Sequence, residues 1–206
     1  MRKELGLLCM AIGVALLVGS LALFLWNQTE SNRAGQTGRE VIPLLQEAMP
    51  GGQETMDAPD QPGTPHLLPS VKKQMTEVEI DGNRYIGYLS VPSLNLDLPV
   101  MSQWDYPKLK IAPCRYSGTT MEGNLVLVAH NYRSHFGLLN QLQPGDDVLF
   151  VDMDGAATAY QVAAVDVVLP NSVKEVTAGA FDLALVTCTY GGKTRLVVYC
   201  DVAAAP

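Results

Sequence analysis

The sequence predicts an all-β domain, closed or nearly closed into a barrel, held behind a membrane anchor. From about Glu77 onward the apolar runs are short and punctuated by turn residues, as in a β-core. Seven or so such runs with few helical patterns imply a barrel. At the other end, Leu5 to Trp26 is about 22 residues without a charge, long enough to cross a bilayer as a helix.

The anchor comes first. Arg2 and Lys3 precede the apolar run, with Glu4 partly offsetting them, and Trp26 marks its far edge. Positive charge at the short amino-terminal end predicts that residues 1–26 leave this end in the cytoplasm and the remainder outside. A cleaved signal peptide is the alternative. Its apolar core would be shorter, roughly 7–15 residues, and followed by small residues, whereas Phe24-Leu25-Trp26-Asn27 follows here. Cys9 lacks the small residue that a lipoprotein signal wants before it, since Leu8 stands there.

Residues 27–76 read as a tether, partly disordered. Pro43, Pro50, Pro59, Pro62, Pro65 and Pro69 alternate with Gly35, Gly38, Gly51, Gly52 and Gly63, too little apolar periodicity to offset the entropy of ordering. Glu40 to Met49 has enough apolar residues for one short amphipathic helix, and Lys72 to Val78 for a helical turn. As a flexible chain, the segment would hold the domain on the order of 35–40 Å from the membrane.

In the folded part, residues 77–206, strands are expected near Tyr85–Val91, Leu94–Val100, Asn124–His130, Asp147–Asp152, Thr158–Leu169, Leu183–Thr187 and Thr194–Asp201. Pro92-Ser93 and Asp154-Gly155 supply turns. Ser134 to Leu142 reads as a short helix, with Phe136, Leu139 and Leu142 three residues apart, stopped by Pro144-Gly145.

Charge and cysteine usage exclude whole classes. The chain carries a net charge of -7, and the part from Glu77 onward has eight Lys and Arg against fourteen Asp and Glu. Nucleic acid, which needs a basic patch, is not an expected partner. With no C-x-x-C and no tight Cys/His cluster, no metal site is expected. Cys114, Cys188 and Cys200 are an odd number for an exported domain, and which two would pair is not readable from spacing.

Cys188 ends the run Leu183-Ala184-Leu185-Val186-Thr187-Cys188, and Arg195 opens the next. His130 ends Leu125-Val126-Leu127-Val128-Ala129-His130. A thiol beside a guanidinium is an electropositive setting that stabilises thiolate. Thiol, imidazole and guanidinium together are a nucleophile, a proton carrier and an anion stabiliser, the parts of acyl transfer through a thioester, with no cofactor required. Each has a plainer reading alone: a small buried hydrophobe, a hydrogen-bonded structural histidine, a surface arginine in a weak ion pair. The joint occurrence favours chemistry. Thr187 is a candidate substrate-binding residue, its hydroxyl also able to fix the strand end. Asp105, Asp182 and Asn131 are possible orienting groups for His130, and spacing does not choose among them. The Leu169–Ala180 connection, with Pro170-Asn171, is expected to shape one wall of a substrate groove or to be an inert surface loop.

These residues resemble a family. Leu185-Val186-Thr187-Cys188 followed by Arg195 is similar to the sortase signature T-L-x-T-C with an arginine on the next strand. His130 in Leu127-Val128-Ala129-His130-Asn131 matches the histidine closing a sortase strand. Gly118-Thr119-Thr120-Met121-Glu122-Gly123-Asn124 and Leu138-Leu139-Asn140-Gln141-Leu142-Gln143-Pro144-Gly145-Asp146-Asp147 also look like the family. The match covers roughly Tyr85 to Asp201 and departs at Ala184, where the signature's first Thr would stand; altered packing is expected there. The resemblance implies an eight-stranded β-barrel with one or two short helices. It implies a membrane-anchored cysteine transpeptidase on the outer face of Gram-positive bacteria, with Cys188, His130 and Arg195 catalytic. Its partners would be sorting-signal peptides of secreted proteins and an acceptor amine, from a peptidoglycan precursor or a pilin lysine. A membrane-anchored cysteine protease that only hydrolyses, and a non-enzymatic tethered β-domain binding surface ligands, are the alternatives.

Overall fold

The computed structural model describes residues 2–50, 74–172 and 176–204. Among these residues, nine strands follow one long helix: α1 (Arg2–Ala48), β1 (Val78–Ile80), β2 (Asn83–Val91), β3 (Leu96–Met101), the one-turn helix α2 (Tyr106–Leu109), β4 (Cys114–Ser117), β5 (Leu125–Val128), β6 (Asp147–Asp152), β7 (Ala157–Val168), β8 (Leu183–Cys188) and β9 (Arg195–Val202). Hydrogen bonding runs β1-β2-β3-β4-β5-β8-β9-β7-β6, and a further β2–β6 pairing closes the sheet. Eight strands therefore form the barrel, with β1 attached outside the ring as a hairpin arm of β2. All seven expected strands are present. β1 and β4 leave no sequence pattern, because three or four residues carry too little alternation to register as a period.

Closure needs one close approach. Gly87 pairs with Asp152 across the β2–β6 seam, and a Cβ built on it would lie 2.0 Å from Val151 O. No other residue type fits there without parting the seam.

Alternation along the strands sets which side chains fill the barrel. Leu125, Leu127 and Ala129 of the β5 segment, Leu183 and Leu185 of β8, and Val198 and Cys200 of β9 point into one buried cluster with Ile86, Leu89 and Phe150. The intervening Val126, Ala184, Val197 and Tyr199 form a separate cluster on the outer face. Ala184, the departure from the signature, is buried there at 3 % exposure. The expected helix over Ser134–Leu142 is a series of turns with a single 3-10 turn at Leu139–Gln141. Phe136, Leu139 and Leu142 are buried as the pattern required, but Phe136 N–H donates to His130 O and Gly137 N–H to Tyr132 O, bonds that fold the chain back on itself.

The largest departure concerns the tether. Helix α1 does not stop at Trp26 but continues to Ala48, through Pro43. The described residues Gln74–Glu77 contain no helical turn, and residues 51–73 lie outside the described part. The first half of α1 leaves Leu16, Leu17, Phe24 and Trp26 exposed, and it includes the one stretch among the described residues long and apolar enough to cross a membrane. The second half buries Ala34, Gly38, Val41 and Leu45, a stripe at spacings of four and three, against the barrel. Val41 and Leu45 join Tyr85, Met101, Ala112 and Met153 in a second buried cluster. Gly35 instead permits a close contact, since a Cβ built on it would stand 2.9 Å from Ser134 Cβ, while Gly38 is buried beside Pro99 and Pro43 is exposed in the last turns.

Leu45 is fully buried in that cluster. Leu45→Ala is expected to destabilise the full-length protein by about 2–5 kcal/mol, against near-neutrality for a residue in a free tether. Thermal unfolding in detergent or nanodiscs measures it.

Candidate active site

The site follows from two pairings. β5 runs parallel to β8, with Val128 opposite Val186, so their carboxyl ends emerge together. Continuing that register two residues brings His130 level with Cys188. β9 runs antiparallel to β8, with Arg195 directly opposite Cys188. Alternation then decides the face. Cys188, His130 and Arg195 are in phase with Val186, Val128 and Val197, on the outer side of the wall rather than in the core. All three are partly exposed.

Thr187 holds the junction together. It is buried, and its hydroxyl donates to Ala129 O at 2.9 Å, while Ala129 N–H donates to Val186 O at 3.1 Å. This is the strand-fixing role. The hydroxyl points at the backbone next to His130, not into a groove, which corrects its placement among substrate-binding residues.

The three described thiols of the barrel are reduced and differ in setting. Burial pushes Cys114 and Cys200 up to about 12, which keeps both as inert thiols. Cys188 alone of the three is partly exposed. Arg195 finds partners in backbone carbonyls: Nη1 donates to Gly192 O at 3.0 Å and Thr194 O at 3.1 Å. That uses two of five guanidinium donors and sets the plane of the fork.

His130 is half-buried, and its pKa lies below the ordinary histidine value because of burial first and the Lys110 charge second. The imidazole is thus mostly neutral at pH 7. Its ring sits 4.9 Å from that of Tyr132, which in turn is 5.6 Å from His135. Of the possible orienting groups, Asp105 caps α2, accepting from Lys108 N–H at 2.7 Å, and Asp182 accepts from Val202 N–H at 2.7 Å. Both carboxylates are committed to backbone elsewhere. Tyr132, Lys110 and His135 are not legible in the sequence as neighbours of the site, since nothing in their spacing ties them to His130.

The Leu169–Ala180 connection reaches the site. Leu169, Pro170, Ser172 and Val176 line a largely apolar cavity of about 120 Å³ together with Tyr116, Val128, Val186 and Arg195. Residues 173–175 lie outside the described part. Tyr116 also borders a more polar groove with Trp104 and Arg115, the Tyr116 and Trp104 rings stacked at 5.6 Å.

The Sortase domain family model matches residues 89–203, more than half of the chain and the whole of the reactive edge. The chain belongs to the sortase family. Sortase C from Clostridium perfringens SM101 is similar at 26% identity over 64% of this chain and 73% of that one, with a TM-score of 0.52. Sortase C1 from Streptococcus agalactiae is similar at 26% identity over 62% and 72%, with a TM-score of 0.54. Sortase A from Corynebacterium diphtheriae, at 21% identity over 60% and 63% and a TM-score of 0.52, shares the fold. No curated protein sequence matches the chain. As a sortase, the protein is a cysteine transpeptidase in the general sense of the family, built on the closed eight-stranded barrel its sequence predicts.

Burial of His135 has a consequence for this sortase's stability. Burial holds it down to about 4, with His130 adding to the depression and backbone groups of Ile111 and Ala34 opposing it. The folded protein accepts neutral imidazole, whereas the unfolded chain protonates near the ordinary value of about 6.5. The stabilisation is complete above pH 6.5 and is lost as pH falls toward 4. His135→Phe should narrow its stability gap to the wild type over that interval, read from melting temperatures at pH 7 and 4.5.

Proposed function

We propose that this sortase cleaves a carboxy-terminal sorting signal on secreted proteins and transfers the acyl group, through a thioester on Cys188, to an amine. The single observation that supports this reading is the junction of β5, β8 and β9, where Arg195 pairs with Cys188 and the β5–β8 register, continued past Val128, brings His130 level with Cys188. The C. perfringens sortase C structure with the C-terminal cell wall sorting motif, at 27% identity and a TM-score of 0.52, supports the donor class.

The chemistry assigns each group one task. The Cys188 thiolate adds to the scissile carbonyl carbon; a C–S bond forms and the carbonyl π pair moves to oxygen. The guanidinium of Arg195 stabilises that oxyanion with its remaining donors. As the oxyanion collapses, the C–N bond breaks and His130 imidazolium delivers a proton to the departing amine. The incoming amine attacks the thioester, gives a proton to neutral His130, and the thiolate leaves. The apolar cavity beside Arg195 suits an uncharged side chain of the sorting signal, and the Leu169–Ala180 loop forms its wall. The acceptor is an amine of a peptidoglycan precursor or a pilin lysine. Arg2 and Lys3 before the apolar half of α1 orient it as a single-pass anchor with the barrel outside the cell.

Incubating the full-length protein with sorting peptides, with and without triglycine, separates the outcomes. A ligated product that disappears in Cys188→Ala supports transpeptidation. Hydrolysis alone makes the protein a protease, and no adduct at all leaves a binding domain. Arg195→Lys should lower kcat by about 100- to 1,000-fold, because a point charge replaces the fork at the oxyanion. Protonated His130 is the minor form at neutral pH, and Lys110 is one reason. Lys110→Gln removes that repulsion, so the NMR titration midpoint of the His130 ring should move up; an unchanged or lower midpoint contradicts the assignment.

A further inference from the structure

We infer that α1 is a positioning element of the active site: its Ser31–Gly35 stretch clamps the loop that carries His130, so the membrane helix sets where the imidazole stands. The inference rests on the role proposed for His130 and adds a residue set outside the reacting atoms.

Four observations converge on one contact. Ser31 Oγ lies 3.2 Å from Ser134 Oγ, and the Ser134 hydroxyl donates to Ser31 O. Ala34 is 2% exposed, and His135 beneath it is 1% exposed. A Cβ built on Gly35 would stand 2.9 Å from Ser134 Cβ, so the helix and the loop touch at a separation that only glycine allows. Around His130 the loop is internally tied: His135 N–H donates to Tyr132 O at 2.9 Å, Phe136 N–H donates to His130 O at 3.2 Å, and the Tyr132 ring packs near both imidazoles. A displacement of Ser134 or His135 therefore reaches His130 through hydrogen bonds and ring contacts rather than through slack chain.

A spacer would not be built this way. Glycine inside a helix destabilises it by roughly 0.5–1 kcal/mol relative to alanine, and a helix that merely held the barrel off the membrane would gain from alanine at position 35. Ser31 is five residues beyond Trp26, on the order of 7–8 Å along the helix axis. The contact thus joins the end of the apolar span to the reactive edge almost directly. Charged and titratable groups around the loop include Lys110 on the barrel side, Tyr132, the exposed Arg133 and His135 within the loop, and Glu30 on α1, whose charge acts on Tyr132.

Gly35→Ala tests this in the full-length protein in nanodiscs, because its effect on the helix and its effect on the clamp have opposite signs. The clamp predicts that kcat for triglycine ligation falls about tenfold or more while KM for the sorting peptide stays within about twofold, since a displacement on the order of 1 Å of a reacting group can cost up to about 100-fold. It also predicts a shifted NMR resonance of the His130 ring. Ser134→Ala, which keeps the Cβ but removes the hydroxyl that donates to Ser31 O, should also lower kcat and shift the His130 resonance. A Gly35→Ala protein with wild-type kcat and an unmoved His130 resonance overturns the clamp, as does a Ser134→Ala protein indistinguishable from wild type in both. If the wild-type chain hydrolyses or does not react, the proposed reaction falls, and the His130 resonance in Gly35→Ala still decides the clamp.

Discussion

The reactive edge depends on the parallel pairing of β5 with β8. Antiparallel neighbours bring the end of one strand to the start of the next, which suffices for Cys188 and Arg195 across β8 and β9. Placing two strand ends side by side needs a parallel pair, and such a pair needs a long crossover, supplied here by β6 and β7. The Thr187 hydroxyl bonded to Ala129 O secures the last rung of that pair, one residue short of both functional side chains. A buried hydroxyl with its acceptor in place is worth more in specificity than in energy: leaving either group unpaired would cost about 1–3 kcal/mol, and the same bond fixes the strand ends in register.

Electrostatically the edge is built from local effects inside an acidic protein. The net charge of -7 offers no general attraction for an anion, so the cationic character comes from local groups such as Arg195 and Lys110. Lys110 and burial together keep His130 largely neutral, while two carboxylates that could have countered them, Asp105 and Asp182, serve as backbone acceptors elsewhere. Two other barrel thiols are buried deeply enough to be silent, which leaves Cys188 as the accessible thiol of the described barrel.

The anchor and the barrel are one packed body over the second half of α1. A helix whose first half is long and apolar enough to cross a bilayer, and whose second half lays a stripe of Ala34, Gly38, Val41 and Leu45 on a barrel, can transmit orientation as well as attachment. A flexible tether would let the reactive edge sample all directions at a distance of tens of ångströms. The observed contact begins five residues past Trp26 and ends against the loop that follows β5.

Strand phase, family and the apolar span were legible in the amino-acid order because each is a local property. The period-two runs marked seven strands, and the signature around Cys188 with Arg195 and His130 marked the family. Short-range patterns do not say which strands are neighbours, so the parallel β5–β8 junction and the exposure of Cys188 against the burial of Cys114 and Cys200 came from the folded chain. The same limit explains the tether. Gly35, Gly38 and Pro43 weaken an isolated helix, and composition alone counts them as breakers. Packing reverses the sign for Gly35, because a glycine is also the residue that lets a helix approach a neighbour closely, and the loop that rewards the approach lies about a hundred residues further along the sequence.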